Sequence, residues 1–187
     1  MALGLAALIL LGSSLALLAL NSNRKDQQVE VSSVASPNRE EFQKEEASFD
    51  FAMVGDMLPH DTVNQAAKQA DGNFDYLSLI SPELQQSFKK ADLRFCNQES
   101  PSASQISTQG YPAFNAPVKF AEDISNFGCN LVSLGNNHAN DQGPAGISQT
   151  LDEWDKLKPL GVSGINHSAD QQSTDQIFEL KGIKVGY

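Results

Sequence analysis

The stretch Leu131 to Gly143 reads LVSLGNNHANDQG, an apolar run that passes straight into Asn136, Asn137 and His138, with Asp141 three residues on. An asparagine carbonyl oxygen is a neutral hard ligand. A histidine beside it can bind a metal or give a proton to a departing oxygen. Two further stretches carry the same kind of group. In GDMLPH, residues 55–60, Asp56 follows a glycine and His60 comes four residues later. In CNQESP, residues 96–101, Asn97 and Glu99 alternate, so an extended chain points both to one side. Each has a bland reading when taken singly. Asp56 suits a helix N-cap, His60 a surface or packing histidine, and Asn97 and Glu99 the polar caps of a loop. GNNH suits a turn held by asparagine side chains around a satisfied histidine. Together, two carboxylates, an amide and an imidazole suit Mn²⁺, Fe²⁺, Zn²⁺ or Mg²⁺. Two such ions a few ångström apart can activate a water and stabilise a phosphoryl transition state.

Chemistry of that kind needs rigid mounts. FDFAMVG predicts a first strand ending at Gly55–Asp56, LRFCN (residues 93–97) a second, and residues 130–134 a third. GVSGI and QIFELKGIKVGY supply later strands, the last pair joined by a turn at Lys181-Gly182. Helices are expected over residues 61–70, from Ser81 as N-cap with Pro82 at N1 to about Ala91, over 117–127 closed by Gly128, and over 146–158. The last of these carries Ile147, Leu151, Trp154 and Leu157 on one face. Residues 100–117, punctuated by Pro, Ser and Gly, read as a long loop. Strands alternating with helices predict α/β architecture, in which sites gather at the carboxyl ends of strands. Asp56, then Asn97 and Glu99, then Asn137 and His138 fall at three successive strand ends.

Residues 2–20, ALGLAALILLGSSLALLAL, carry no charge, and as a helix they would span about 28 Å. They predict a single transmembrane anchor, or an uncleaved signal segment, since a basic n-region and a small-x-small cleavage site are both lacking. Residues 21–48 are polar and too poor in large apolar groups to build a core, so they predict a solvated linker. The globular domain is expected over 49–187. Arg24 and Lys25 beside the span would by charge bias hold the remainder inside the cell. Against that two-charge vote stands the expectation of a cell-membrane protein with its domain outside. The formal net charge of −10 repels phosphate backbones, so nucleic acid is not an expected partner, and it is compatible with divalent cations. Cys96 and Cys129, counted back from Glu99 and Asn137, come out about 15 Å apart along the sheet, too far for a disulfide. Two free buried thiols are expected.

VGDMLPHDTV, ADLRFCNQESP, GYPAFNAP and NLVSLGNNHANDQGPAGISQTLDEW, in that order and spacing, resemble the bacterial capsule-synthesis family called CapA, or PgsA in poly-γ-glutamate systems. The resemblance runs from Phe49 to Tyr187, and GNNHAND with the following GPAGISQTL is its most specific part. It implies a fold similar to calcineurin-like metallophosphoesterases, a sandwich of two sheets flanked by helices. It implies Asp56, Glu99 and Asn137 as metal ligands, with Asn97 beside them and His138 as proton donor or phosphate-orienting group. His60 matches a histidine of one branch of the family. Asp141 is expected to fix the loop or His138. Family members continue further, with later histidine motifs that complete the metal site. The chain therefore resembles an N-terminal portion with an incomplete centre, inactive alone. His167, in INHSAD, reads as a surface residue. The implied function is a membrane-anchored, metal-dependent hydrolase of phosphoester type. The alternative is a non-catalytic component of a capsule polymer synthesis or export complex, with the membrane, the polymer and the complex's proteins as partners. A Rossmann-like domain is disfavoured because no Gly-rich phosphate loop follows the first strand.

Overall fold

The computed structural model describes residues 46–187. The expected membrane span and most of the expected linker lie outside these residues. No helix among the described residues is long and apolar enough to cross a membrane.

Four parallel strands form one sheet in chain order: β1 (Phe51–Met57), β2 (Leu93–Gln98), β3 (Leu131–Ser133) and β4 (Gly161–Ser163). Between them run α1 (Asp61–Ala67), a 3-10 turn at Leu77–Leu79, α2 (Pro82–Phe88), α3 (Val118–Phe127) and α4 (Gly143–Leu157). A short α5 (Ala169–Gln172) precedes an antiparallel hairpin of β5 (Ile177–Leu180) and β6 (Ile183–Gly186). Strands in sequence order joined by helices are the βαβ arrangement that the hydrophobic periodicities predict.

The core explains the helix boundaries. Ala52 and Val54 of β1, Cys96 and Val132 pack with Phe120, Ile124 and Phe127 of α3 and with Leu151 and Trp154 of α4. Phe88 of α2 stacks on Phe127 with ring centroids 4.4 Å apart. Ser81 caps α2 by accepting from Leu84 N at 3.2 Å, with Pro82 in the first turn. Gly128 closes α3 at φ +120°, a conformation that glycine adopts without steric cost. The other sheet face carries Leu93, Phe95 and Leu131. Tyr187 at the end of the hairpin covers part of it, edge to face with Phe95 at 6.4 Å. Phe51 and Met53, on the same face at the β1 edge, are exposed. The α/β class therefore stands. Of the expected two-sheet sandwich, the described residues hold one four-stranded parallel sheet and a separate two-stranded hairpin.

The cysteine expectation is overturned. Cys96 and Cys129 form a disulfide, with Cα atoms 5.7 Å apart. The offset that kept them apart placed Glu99 and Asn137 level with each other. The register instead pairs Asn97 with Ser133 and Cys96 with Val132, so Asn137 lies four residues beyond its strand. Cys129 is not on a strand. It sits at the turn out of α3, its N–H still bonded to Ile124 O at 3.2 Å, where the chain doubles back over β2.

Candidate functional site at the carboxyl rim of the sheet

The carboxyl ends of β1 and β2 are joined by the last backbone bond of their ladder, and those of β2 and β3 by a side-chain hydrogen bond. Glu99 N–H donates to Met57 O at 3.0 Å, joining the first two strand ends. The Asn136 side chain donates to Gln98 O at 2.9 Å, joining the second and third. Gln98 itself is fully buried. Its amide nitrogen donates to Ser100 O and Ser102 Oγ, and its oxygen accepts from Trp154 Nε1 at 2.9 Å. The polar end of β2 is thereby locked to α4.

A β-bulge turns Asp56 to its place. Val54 pairs with Cys96 and Met57 with Gln98, so β1 fits one residue more than β2 into the same interval. The carboxylate of Asp56 then lies on the same side as Asn97 and accepts from its Nδ2 at 2.6 Å. Asn97 Oδ1, on the other arm of that amide, is buried and has no hydrogen-bond partner. A buried acceptor without a donor is costly unless something positive completes it. Its chemistry beside an acidic oxygen fits a hard divalent cation.

The second half of the rim is the loop after β3. Gly135 lets this loop pass against the loop after β4: a Cβ on Gly135 would lie 2.9 Å from Gly164 Cα. Asn136 is the fastener of the loop, its Oδ1 accepting from His138 N at 2.9 Å. Asn137 is exposed, and its side chain makes no hydrogen bond among the described residues. His138 is half-buried, with Nδ1 2.8 Å from Asp141 Oδ2. An ionised carboxylate can only accept, so Nδ1 carries the proton and Nε2 is the nitrogen left for a ligand. The same Asp141 oxygen accepts from Phe114 N at 2.6 Å. Gln142 Nε2 donates to Phe114 O at 2.9 Å. The expectation that Asp141 fixes the loop and His138 matches these contacts.

The structure thus forms two pairs, Asp56 with Asn97 and His138 with Asp141. Glu99 is half-buried, and its carboxylate makes no hydrogen bond or ion pair among the described residues. His60 is exposed and caps α1, its Nδ1 accepting from Asp61 N at 3.0 Å. Phe114, absent from the sequence-based candidates, stands between the two histidines. Its ring is 5.5 Å from that of His60 and 4.7 Å from that of His138, both edge to face. Asn115 was also missed. It is buried and folds the long loop around itself through Ala103 N, Ala103 O and Ile106 O. The Phe-Asn-Ala-Pro run in GYPAFNAP was the available signal for both. The single trio of histidine and acid groups mutually within 4.8 Å among the described residues is elsewhere: Asp152, Asp155 and His167 on an exposed flank. Asp56, Glu99 and His138 do not form such a trio. His167 is exposed, as expected.

Comparison with curated proteins found no match. A family model, Bacterial capsule synthesis protein PGA_cap, matches residues 50–187 and so takes in every rim residue described above. By that match over most of its length, the chain belongs to the bacterial capsule synthesis protein family.

Proposed function

We infer that this capsule synthesis protein is a metal-dependent hydrolase of phosphoester type, tethered to the membrane by residues 2–20. The observation that carries the reading is Asn97 Oδ1, buried and partnerless on an amide already bonded to Asp56. Asp56 and Asn97 would hold a divalent cation (Mn, Fe, Zn or Mg), with Glu99 and Asn137 within the same rim as further oxygen donors. Such an ion supplies Lewis acidity and lowers the pKa of water. As a water oxygen bonds to phosphorus and the P–O bond to the leaving group breaks, His138, held by Asp141 through Nδ1 and protonated on both ring nitrogens, would give its Nε2 proton to the departing oxygen, the proton shed by the water restoring it. The Cys96–Cys129 disulfide supports a domain outside the cell, where oxidising conditions preserve such bonds.

A non-catalytic role in polymer synthesis or export is the second reading, favoured by the family match, which names capsule synthesis and no reaction. Both readings meet the same test. Metal content and hydrolysis of bis-p-nitrophenyl phosphate are measured for the full-length protein with Mn²⁺ and for Asp56→Ala, His138→Ala and Asp141→Ala. The hydrolase reading expects Asp56→Ala to lose metal and activity together. His138→Ala should lower kcat by about 10²–10⁴-fold, and Asp141→Ala by about 10–100-fold. Polymer production that survives Asp56→Ala and His138→Ala, with no metal copurifying, rejects hydrolysis in favour of the binding role.

A further inference from the structure

Away from the rim, the exposed flank of α4 holds three groups that share a focus. Asp152 and Asp155 stand one turn apart on α4, and His167 reaches them from the loop after β4. Each brings a donor atom within 4.8 Å of the other two. The spacing is not that of a hydrogen-bonded pair. His167 Nε2 lies 3.5 Å from Asp155 Oδ2 and 3.9 Å from Asp152 Oδ1, whereas His138 and Asp141 close to 2.8 Å. An imidazole bonded to a carboxylate sits at about 2.7–2.9 Å. Donors held by one tetrahedral Zn²⁺ at about 2.0–2.2 Å lie instead about 3.3–3.6 Å from one another. The two His167 distances fall within that range and just beyond it.

Charge points the same way. Asp152, Glu153 and Asp155 put three carboxylates within four residues. Lys156 is taken by Glu153 at 2.8 Å, and among the described residues no lysine or arginine pairs with Asp152 or Asp155. Two carboxylates and an imidazole make the mixed oxygen and nitrogen set that zinc accepts, while calcium and magnesium favour oxygen alone. The histidine is already held in place. Its backbone N–H donates to Gln171 Oε1 at 2.6 Å, and Ser168 accepts from Gln171 N at 3.2 Å to cap α5. Ordering that precedes binding does not have to be supplied by it. A cavity of about 410 Å³, walled in part by Asp155, Lys158 and Gln171, leaves space beside the cluster for a fourth ligand, a water or an anionic oxygen.

We propose that Asp152, Asp155 and His167 form a Zn²⁺ site, separate from the rim, that clasps the loop after β4 to α4. That loop begins at Gly164, against which the His138 loop packs through Gly135. The ion would brace the neighbour of the His138 loop without taking part in chemistry at the rim. The inference does not depend on the rim being catalytic.

Zn²⁺ binding to the full-length protein is measured by calorimetry after EDTA stripping, in an Asp56→Ala background that removes the carboxylate of the rim pair. One equivalent of Zn²⁺ is expected. His167→Ala, and separately the pair Asp152→Asn with Asp155→Asn, should each weaken it by more than about tenfold, since even the partners of metal ligands cost that much. Ca²⁺ should bind at least about tenfold more weakly than Zn²⁺. Zn²⁺ should raise the melting temperature of the background protein, read by Trp154 fluorescence, and leave His167→Ala unmoved. All three positions are exposed, so the metal-free variants should melt with the background protein. The proposal is overturned if no Zn²⁺ binds, if His167→Ala binds it like the background protein, or if Ca²⁺ binds as tightly as Zn²⁺, the mark of a nonspecific acidic patch. Zn²⁺ binding that needs His167 in a protein without hydrolytic activity would reject the hydrolase and leave this site standing.

Discussion

Replacing Cys96 and Cys129 together by alanine tests the feature on which sequence and structure disagree most sharply. The bond closes a loop with a sequence separation of 33 residues. Loop closure of that size restricts the unfolded chain by about 3.7 kcal/mol at 25 °C in the chain-entropy model. Both residues are buried, Cys96 at 0% and Cys129 at 4% exposure, so alanine is chosen over serine to avoid an unpartnered hydroxyl. Loss of the two sulfur atoms from a packed interior adds roughly 1 kcal/mol. Against a typical domain stability of roughly 5–15 kcal/mol, the combined change is large. With a urea m-value of about 1–3 kcal/mol/M, the 3.7 kcal/mol alone lowers the midpoint by roughly 1–4 M. Trp154, the single tryptophan and fully buried between α4 and the end of β2, reports unfolding by fluorescence. Reductant should move the midpoint of the parent by nearly as much as the substitutions do, and should leave the double variant unmoved. Two reactive thiols in the unfolded, unreduced parent, or a midpoint insensitive to reductant, would refute the bond and with it the register argument that places Cys129 over β2.

Gly164→Ala should cost about 2–4 kcal/mol, because φ is +102° there and the new Cβ would lie 2.2 Å from Gly135 N, a backbone atom with no rotamer to escape through. A melting temperature lowered by about 6–15 °C is expected, and a change of less than about 1 °C would show that the two loops do not touch. Alkaline pH should weaken the fold through Tyr187, whose phenol is pushed up to about 12 by burial. The folded state keeps this proton longer than the unfolded chain, whose tyrosines titrate near 10. The contribution is therefore whole below about pH 10 and is lost as pH rises from about 10 to 12. Tyr187→Phe should shrink the loss seen between urea melts at pH 9 and 11.5. It should not abolish the loss, because Tyr76 is also raised, first by burial and then by Asp123.

Much of the framework was legible because its signals are local. Lys181 and Gly182 take positive φ of 50° and 77°, the pair that a two-residue hairpin turn demands, and the strands on either side follow from it. Ser81-Pro82 and Gly128 mark helix ends by chemistry that does not depend on the rest of the fold. Where boundaries moved, a distant contact was responsible. The first helix stops at Ala67 because Lys68 turns extended to bridge Phe74. The helix expected from residue 146 begins at Gly143, with Pro144 in its first turn and Gln142 turned aside to bind Phe114 O. The four-residue α5 and the 3-10 turn are too short to show a period at all.

The site was legible as a set of residue types and not as a set of directions. Asp56 faces Asn97 because of one extra residue in β1, and no pattern in FAMVGDM announces a bulge. Asn136 and Asn137 are identical in chemistry and adjacent in sequence. Only the fold shows that the first is consumed in holding Gln98 O and His138 N while the side chain of the second makes no hydrogen bond among the described residues. The contacts that aim His138 span 27 residues to Phe114 N and 38 to Gln98 O, beyond the reach of any local rule. The consequence is physical. Asp56 and Asn97 are carried by paired strands, whereas His138 and Asp141 are carried by a loop that, past the Leu134 N–H bond to Ser163 O, is attached through hydrogen bonds that each use a side chain. The spacing between the two halves is therefore set by Asn136, Gln142 and Phe114 rather than by the sheet. Single-residue changes at those three positions can alter it without touching any group that does chemistry.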